Sequence, residues 1–376
     1  QGMPPQPYIP ALRTLTGLRL ALEDTETGIR FSDHVLMAAL PGVINPRYDL
    51  VHILVSRSPF SRDERDAFVE ITRHLGFTVL HPPPRGSARP QGLYSQIASE
   101  GDLQALASAV PFSIWPATDD RPFQYALDLV HLRRAMEHGG LFDLIAGNPL
   151  VSLGVSIGTL SALLTLAPLL IGSRRGESLK AFRSHWPMLL YFACIGFAYM
   201  AVEIAALLRL QSFLGKPIYG LSVGLFAFLL ASGLGSNFTS RFDDRRLESS
   251  VHAIVLALVA LGIVFVLGSA PLFASTIALP LPARIAIAVA AVFPLAYLMG
   301  MLFPVGIRLI ARSDADLIPW AWATNGCFSV LGIFGTRITA LLFGFSRGLV
   351  IGLVVYLFVI ACVAAESRSG RQAAGS

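Results

Sequence analysis

What most constrains this 376-residue chain is a series of apolar stretches, each long enough to cross a lipid bilayer. A helical span takes about 20 mostly apolar residues to cover roughly 30 Å of hydrocarbon. Seven stretches qualify: Asn148–Gly172, Pro187–Phe213, Ile218–Phe238, Val251–Phe273, Ile285–Ala311, Ile318–Phe343 and the shorter Leu349–Ala365. Brief charged gaps separate them. That alternation does not suit a water-soluble core, so residues 148–376 are expected to form an all-α, multi-pass transmembrane domain of about seven helices. Composition agrees, with 54% hydrophobic and 14% charged residues against about 25% charged in an ordinary soluble domain. It also excludes disorder, collagen-like repeats and a disulfide-stapled mini-domain.

Charge divides at the same place. Residues 1–147 hold 13 Arg, no Lys and 16 Asp+Glu, a net of −3. Residues 148–376 hold 16 Lys+Arg and 8 Asp+Glu, a net of +8. The basic excess sits mostly in the gaps between apolar runs, which points to a membrane surface and not to nucleic acid. Eleven basic residues flank one set of span ends (from Arg174 to Arg371) and six flank the other (from Arg133 to Arg347). By the positive-inside rule that count alone puts the 1–147 side outside the cytoplasm. Cys194, Cys327 and Cys362 lie inside apolar runs without CxxC spacing and read as small buried hydrophobes.

Residues 1–147 read as a partial α/β soluble domain. Ile9–Leu22 is a helix candidate, and Val35–Leu40, Asp49–Ser56 and Phe77–Leu80 are strand candidates. Ser61 and Glu64 form a capping-box pattern before a helix whose apolar stripe is Phe68, Ile71 and Leu75, with Gly76 as its stop. Strand–helix–strand with short joints predicts a βαβ unit in a mostly parallel sheet. No GxGxxG turn follows a strand, so no nucleotide site is expected in this stretch. His34, His52, His74 and His81 are scattered and lack metal spacing. The expectation is therefore the C-terminal portion of a larger domain, with no metal.

Several polar residues are candidates for function. Asp119 and Asp120, in Thr118–Phe123, are either a carboxylate pair beside a substrate amine or sugar, or the cap of a helix beginning at Pro122. Glu203 and Arg337 lie mid-span, where a charge is costly and usually finds a partner, and the two are a candidate ion pair. Glu203 is alternatively a cation or proton site. Asn325 lies one turn below the Trp320–Trp322 aromatic belt and is placed to bond between helices. Pro304 is expected to kink its span. Small residues four apart, such as Gly154 and Gly158, or Ala227, Ala231 and Gly235, predict close helix packing. The gap from Gly235 to Arg246 loosely resembles the Gly…Asp-Arg gap of major-facilitator transporters.

Seven strings occur in a set order: ILVSRSPF (53–60), TDDRPF (118–123), GFAYMAVEI (196–204), FLGKPIY (213–219), SGLGS (232–236), LMGMLFPVG (298–306) and PWAWATNGCFSV (319–330). In that order they resemble the bacterial membrane-fused, spermidine-synthase-like proteins. The resemblance implies that residues 1–147 are the C-terminal portion of a Rossmann-like methyltransferase fold, joined to bilayer helices in the bacterial inner membrane. It implies an aminopropyl- or methyl-transferase in the intact protein, using S-adenosylmethionine or its decarboxylated form. The residues that would grip that cofactor belong upstream, so no cofactor-binding or catalytic residue is assigned in this chain. Arg337 departs from the apolar residue expected there. The implied partners are the bilayer, the remainder of the same domain and a second copy of the chain. The alternative expectation is a transporter or permease module with Glu203 in a polar pathway.

Overall fold

The computed structural model describes residues 9–25, 30–45, 48–83, 92–99, 102–110, 113–118, 120, 149–171 and 185–375. The protein is mostly helical with one small sheet. By contacts it divides into two compact units. One takes Gln1–Thr118 and Pro122–His138, the other Asp119–Arg121 and Gly139–Ser376.

The first unit contains α1 (Ile9–Thr25), β1 (Val35–Asn45), β2 (Tyr48–Val55), α2 (Arg62–His74), β3 (Thr78–His81), α3 (Gly92–Ala98) and α4 (Leu103–Ala109). Its core joins Leu12 and Leu15 of α1 to Phe31, Met37, Ile97 and Ile114. Arg13 and Arg19 are buried beside it, which is tolerable because their guanidiniums donate to backbone carbonyls. Arg13 reaches Trp115 O at 2.7 Å, and Arg19 reaches Ile97 O at 3.0 Å and Ser99 O at 2.7 Å.

The sheet corrects the parallel expectation. Its order is β2-β1-β3, and both ladders are antiparallel. β2 and β3 do run the same way, joined by α2, but β1 lies between them. The reason is burial: Val35, Leu36, Met37, Ala38 and Ala39 are all buried, so β1 takes the central position, while β2 exposes His52, Leu54 and Val55 as an edge strand does. Helix α2 starts as its cap predicts. Ser61 Oγ accepts from Glu64 N, and Glu64 accepts from Ser61 N at 2.8 Å. Those bonds hold the Glu64 carboxyl below its ordinary value. Its apolar stripe is not a core stripe, however. Ile71 is 59% and Leu75 62% exposed, while Thr72 is buried.

The second unit is a helical bundle. Its helices are α5 (Pro149–Ile171), α6 (Trp186–Leu214), α7 (Pro217–Phe238), α8 (Leu247–Thr276), α9 (Leu281–Ser313), α10 (Ile318–Phe343) and α11 (Phe345–Gly375). Six of them, α6 to α11, are long and apolar enough to cross a membrane. The first expected stretch is helical over Pro149–Ile171, with side chains described at 152–163. α9 remains helical through Pro294 and Pro304. Helix α6 is the hub, with Tyr191, Phe192, Ala198, Val202 and Leu210 wholly buried. The outer faces stay apolar, as at Phe226, Leu229, Val264, Leu267 and Phe358. A bundle bathed in hydrocarbon gains nothing by hiding such residues, so packing between helices relies on small residues and shape.

That packing is close where glycines meet carbonyls. A Cβ on Gly196 of α6 would overlap Asn325 O of α10. On α7 a Cβ on Gly235 would overlap Tyr297 O of α9, and Ser232 O blocks one on Gly300 of α9. Gly158 of α5 faces Leu331 of α10. The cysteines are free thiols, with Cys327 and Cys362 buried and Cys194 half-buried.

Candidate functional site

The loop after β2, where an α/β unit would hold a ligand, is already committed. Ser56 N donates to His34 O at 2.9 Å and Phe60 N to Asp33 O at 2.8 Å. Arg65 reaches Asp33 Oδ1 at 2.9 Å and Phe60 O at 3.1 Å. His34 Nδ1 lies 3.0 Å from Ser56 O. The loop 56–60 has no glycine and no free backbone donor at these two positions to approach a nucleoside.

His81 is the titratable group of this unit with a consequence for stability. It is 3% exposed, its Nε2 lies 3.0 Å from Ser32 O, and its Nδ1 is buried without a partner. Desolvation dominates and lowers its pKa from 6.5, opposed by the Ser32 carbonyl. The folded state thus binds this proton less well than the unfolded chain does, so stability rises with pH. The contribution is complete above about 6.5 and is lost as pH falls toward the lower folded-state value. The opening free energy of β3 in the full chain, from hydrogen-exchange rates divided by the intrinsic rate at each pH, should fall on acidification through that range, and His81→Phe should abolish the dependence. A pH-independent wild type would refute it.

In the helical unit Asp120 caps a helix. Its Oδ1 accepts from Ser346 N at 3.0 Å and Ser346 Oγ at 2.6 Å, and lies 3.5 Å from Arg209 Nη2. Its carbonyl accepts from Phe345 N at 2.9 Å. Asp120 thereby satisfies the free amides that open α11, and Gly344, at φ +98°, admits its side chain. Asp119 and the helix expected from Pro122 lie outside the described residues.

Glu203 and Arg337 are not a pair. Glu203 is 6% exposed and Arg337 is exposed, and no ion pair joins them. Depth is not the obstacle; helix face is. The inward stripe of α10 runs through Gly332, Thr336 and Ala340, and Arg337 sits about 100° off it. Glu203 instead stands within electrostatic reach of Tyr199 and of Tyr356 on α11. The Tyr356 hydroxyl is buried with no partner. A charge at bilayer depth costs roughly 2.5–3.5 kcal/mol, so an unpaired carboxyl there is unusual.

A cavity of about 420 Å³ lies among α6, α7, α9 and α10, and its lining reaches Tyr199 and Met200, one helical turn from Glu203. Four of the strings supply most of its wall: Gly196, Tyr199 and Met200; Ser232, Gly233 and Ser236; Met299, Gly300, Phe303 and Pro304; Trp322, Asn325 and Ser329. One side is aromatic, with Phe303 edge-on to Trp322 at 4.5 Å and to Phe192 at 5.5 Å. The other is polar. Asn325 Nδ2 donates across to Phe192 O at 3.2 Å, and Ser329 Oγ donates to Asn325 O at 2.8 Å. Pro304 has no N–H for Gly300 O, so the α9 wall also loses one in-helix donor. On α6, residues 196, 199 and 203 recur at i, i+3 and i+7, which puts Glu203 on the same helix face as Gly196 and Tyr199, one turn along from the lining.

Glu203 and Asn325 were legible as single polar residues in apolar runs. Tyr199, Tyr356, Ser232 and Ser329 were missed. Tyr199 carried a signal in its three-residue spacing from Gly196, but Tyr356 is five helices further along the chain. Searches against protein-family models, curated proteins and solved structures find no match for this chain.

Proposed function

We propose that this chain is the membrane-embedded portion of a spermidine-synthase-like protein of the bacterial inner membrane, and that its helical unit binds an amine or lipid-soluble substrate in the α6–α7–α9–α10 cavity. The observation that carries this is the convergence of four separated strings on one cavity with an aromatic and a polar side. The transferase chemistry, with S-adenosylmethionine, is assigned to the remainder of an α/β domain of Rossmann-like type. The β2–α2–β3 crossover supports that type of fold. A second reading, a transporter module, is favoured by the buried Glu203 on the face of α6 that lines the cavity, one turn from it.

The test uses Gly233, where an added Cβ meets nothing within 4 Å, so Gly233→Leu fills the cavity without opposing a backbone. A ligand at a hundred times its Kd stabilises the folded state by about 2.7 kcal/mol. The chain in lipid nanodiscs should show a raised Tm with spermidine or a long-chain alkanol, and Gly233→Leu should not. S-adenosylmethionine should shift neither. If no ligand separates the two proteins, the cavity is not a binding site.

A further inference from the structure

We infer that Glu203 and the oxygens at the deep end of the cavity form an intramembrane site for a monovalent cation, which enters through the cavity and replaces the proton of the Glu203 carboxyl. The inference rests on the cavity being a ligand site.

Four observations lead there. Glu203 is 6% exposed and forms no ion pair with a described residue. It lies on the stripe of Gly196 and Tyr199, both in the cavity wall. The cavity wall itself carries oxygens: the Tyr199 and Ser232 hydroxyls and the carbonyl of Gly300, which Pro304 deprives of its in-helix donor. Within electrostatic reach of Glu203, the buried Tyr356 hydroxyl of α11 has no hydrogen-bond partner among the described residues.

Charge selects the class of ligand. The titratable groups acting on Glu203 are Tyr199 of its own helix and Tyr356 of α11. Among the described residues no charged side chain of α7, α9, α10 or α11 acts on it. A lone carboxyl in a low-dielectric bundle is neutral either with a proton or with one positive charge beside it. One carboxylate matches one unit of charge. No group of three His, Cys, Asp or Glu that would favour a divalent metal exists among the described residues. The exchange balances: the carboxyl O–H breaks, the proton passes to water in the cavity, and the cation takes its place against the carboxylate. Hydroxyl and carbonyl oxygens suit an alkali ion and an ammonium group alike.

The experiment uses the full chain in lipid nanodiscs in a weakly buffered bath. Sodium chloride or methylammonium chloride should release protons and remove the infrared band of a protonated carboxyl. The bulky N-methylglucamine chloride should do neither. Response to sodium identifies an inorganic ion; response to methylammonium alone identifies an ammonium-bearing ligand. Glu203→Gln should lose both signals. If that variant does not fold, Glu203→Asp should retain the band and weaken the response. Gly233→Leu should keep the band and lose the response. Silence of the folded wild type toward both cations, or proton release that persists in Glu203→Gln, overturns the cation site. If the alkanol then still stabilises the wild type and not Gly233→Leu, the cavity reading survives without it.

Discussion

Gly235→Ala will destabilise the helical unit by about 3 kcal/mol or more, although it adds one methyl group to a residue in an apolar helix. In most helices such a change is mildly favourable, by up to about 1 kcal/mol. Here the new Cβ would fall on the carbonyl oxygen of Tyr297. Neither partner is a flexible side chain, so α7 and α9 must separate along their length. The same pair is pinned again where Gly300 meets Ser232 O, so the separation cannot be absorbed locally. The control lies two residues away. Gly233→Ala meets open space and should follow the ordinary propensity gain. Unfolding of both variants in detergent, by heat or titrated denaturant, checks the contrast. Equal behaviour would mean that the crossing is looser than described.

The second large effect belongs to Arg308, near the end of α9. Its Nη1 donates to Thr239 O and its Nη2 to Phe242 O, both at 2.8 Å, and it pairs with Asp244. One guanidinium therefore holds three points of the segment that joins α7 to α8. Arg312 adds a bond to Asp244 O. The ion pair itself is partly exposed, at 30% and 63%, and pairs of that kind contribute about 0–1 kcal/mol. Bonds from a charged donor to carbonyls contribute about 1.5–3 kcal/mol. Arg308→Ala is thus expected to cost about 2 kcal/mol and to expose the segment to protease, while Asp244→Ala costs under about 1 kcal/mol. Arg308→Lys should not rescue it, because one ammonium cannot span the fork. A larger loss from Asp244→Ala than from Arg308→Ala would invert the assignment of roles.

How far residues foretell structure differs between the two units. Two of the bundle's spans were legible nearly to their ends, since Pro187–Phe213 became Trp186–Leu214 and Ile318–Phe343 is unchanged, while Leu349–Ala365 lengthened to Phe345–Gly375. Bilayer thickness demands an uninterrupted apolar run, and that is a property of consecutive residues. The capping box of α2 is equally local, set by Ser61 and Glu64 three positions apart. The ladder partners of β1 were not legible. An apolar strand of this length suits either direction of pairing, and only burial on both faces put it in the middle. Ile71 and Leu75 show the same limit: their spacing describes a stripe, but spacing does not say what covers it.

Glu203 shows where local information ends. Its rarity in an apolar run marked it as a polar centre, and mid-span Arg337 suggested a partner at similar depth. Helix register turned Arg337 off the inward stripe and brought Tyr199, and Tyr356 from α11, toward the carboxyl instead. Apolarity, length and caps are written in neighbouring residues, so they follow from the order of amino acids. Which faces meet depends on close approaches such as Gly196 to Asn325 and Gly235 to Tyr297, between residues far apart in the chain. Those meetings, and the cavity they enclose, are consequences of shape in three dimensions, because hydrocarbon around the bundle supplies no preference for one apolar face over another.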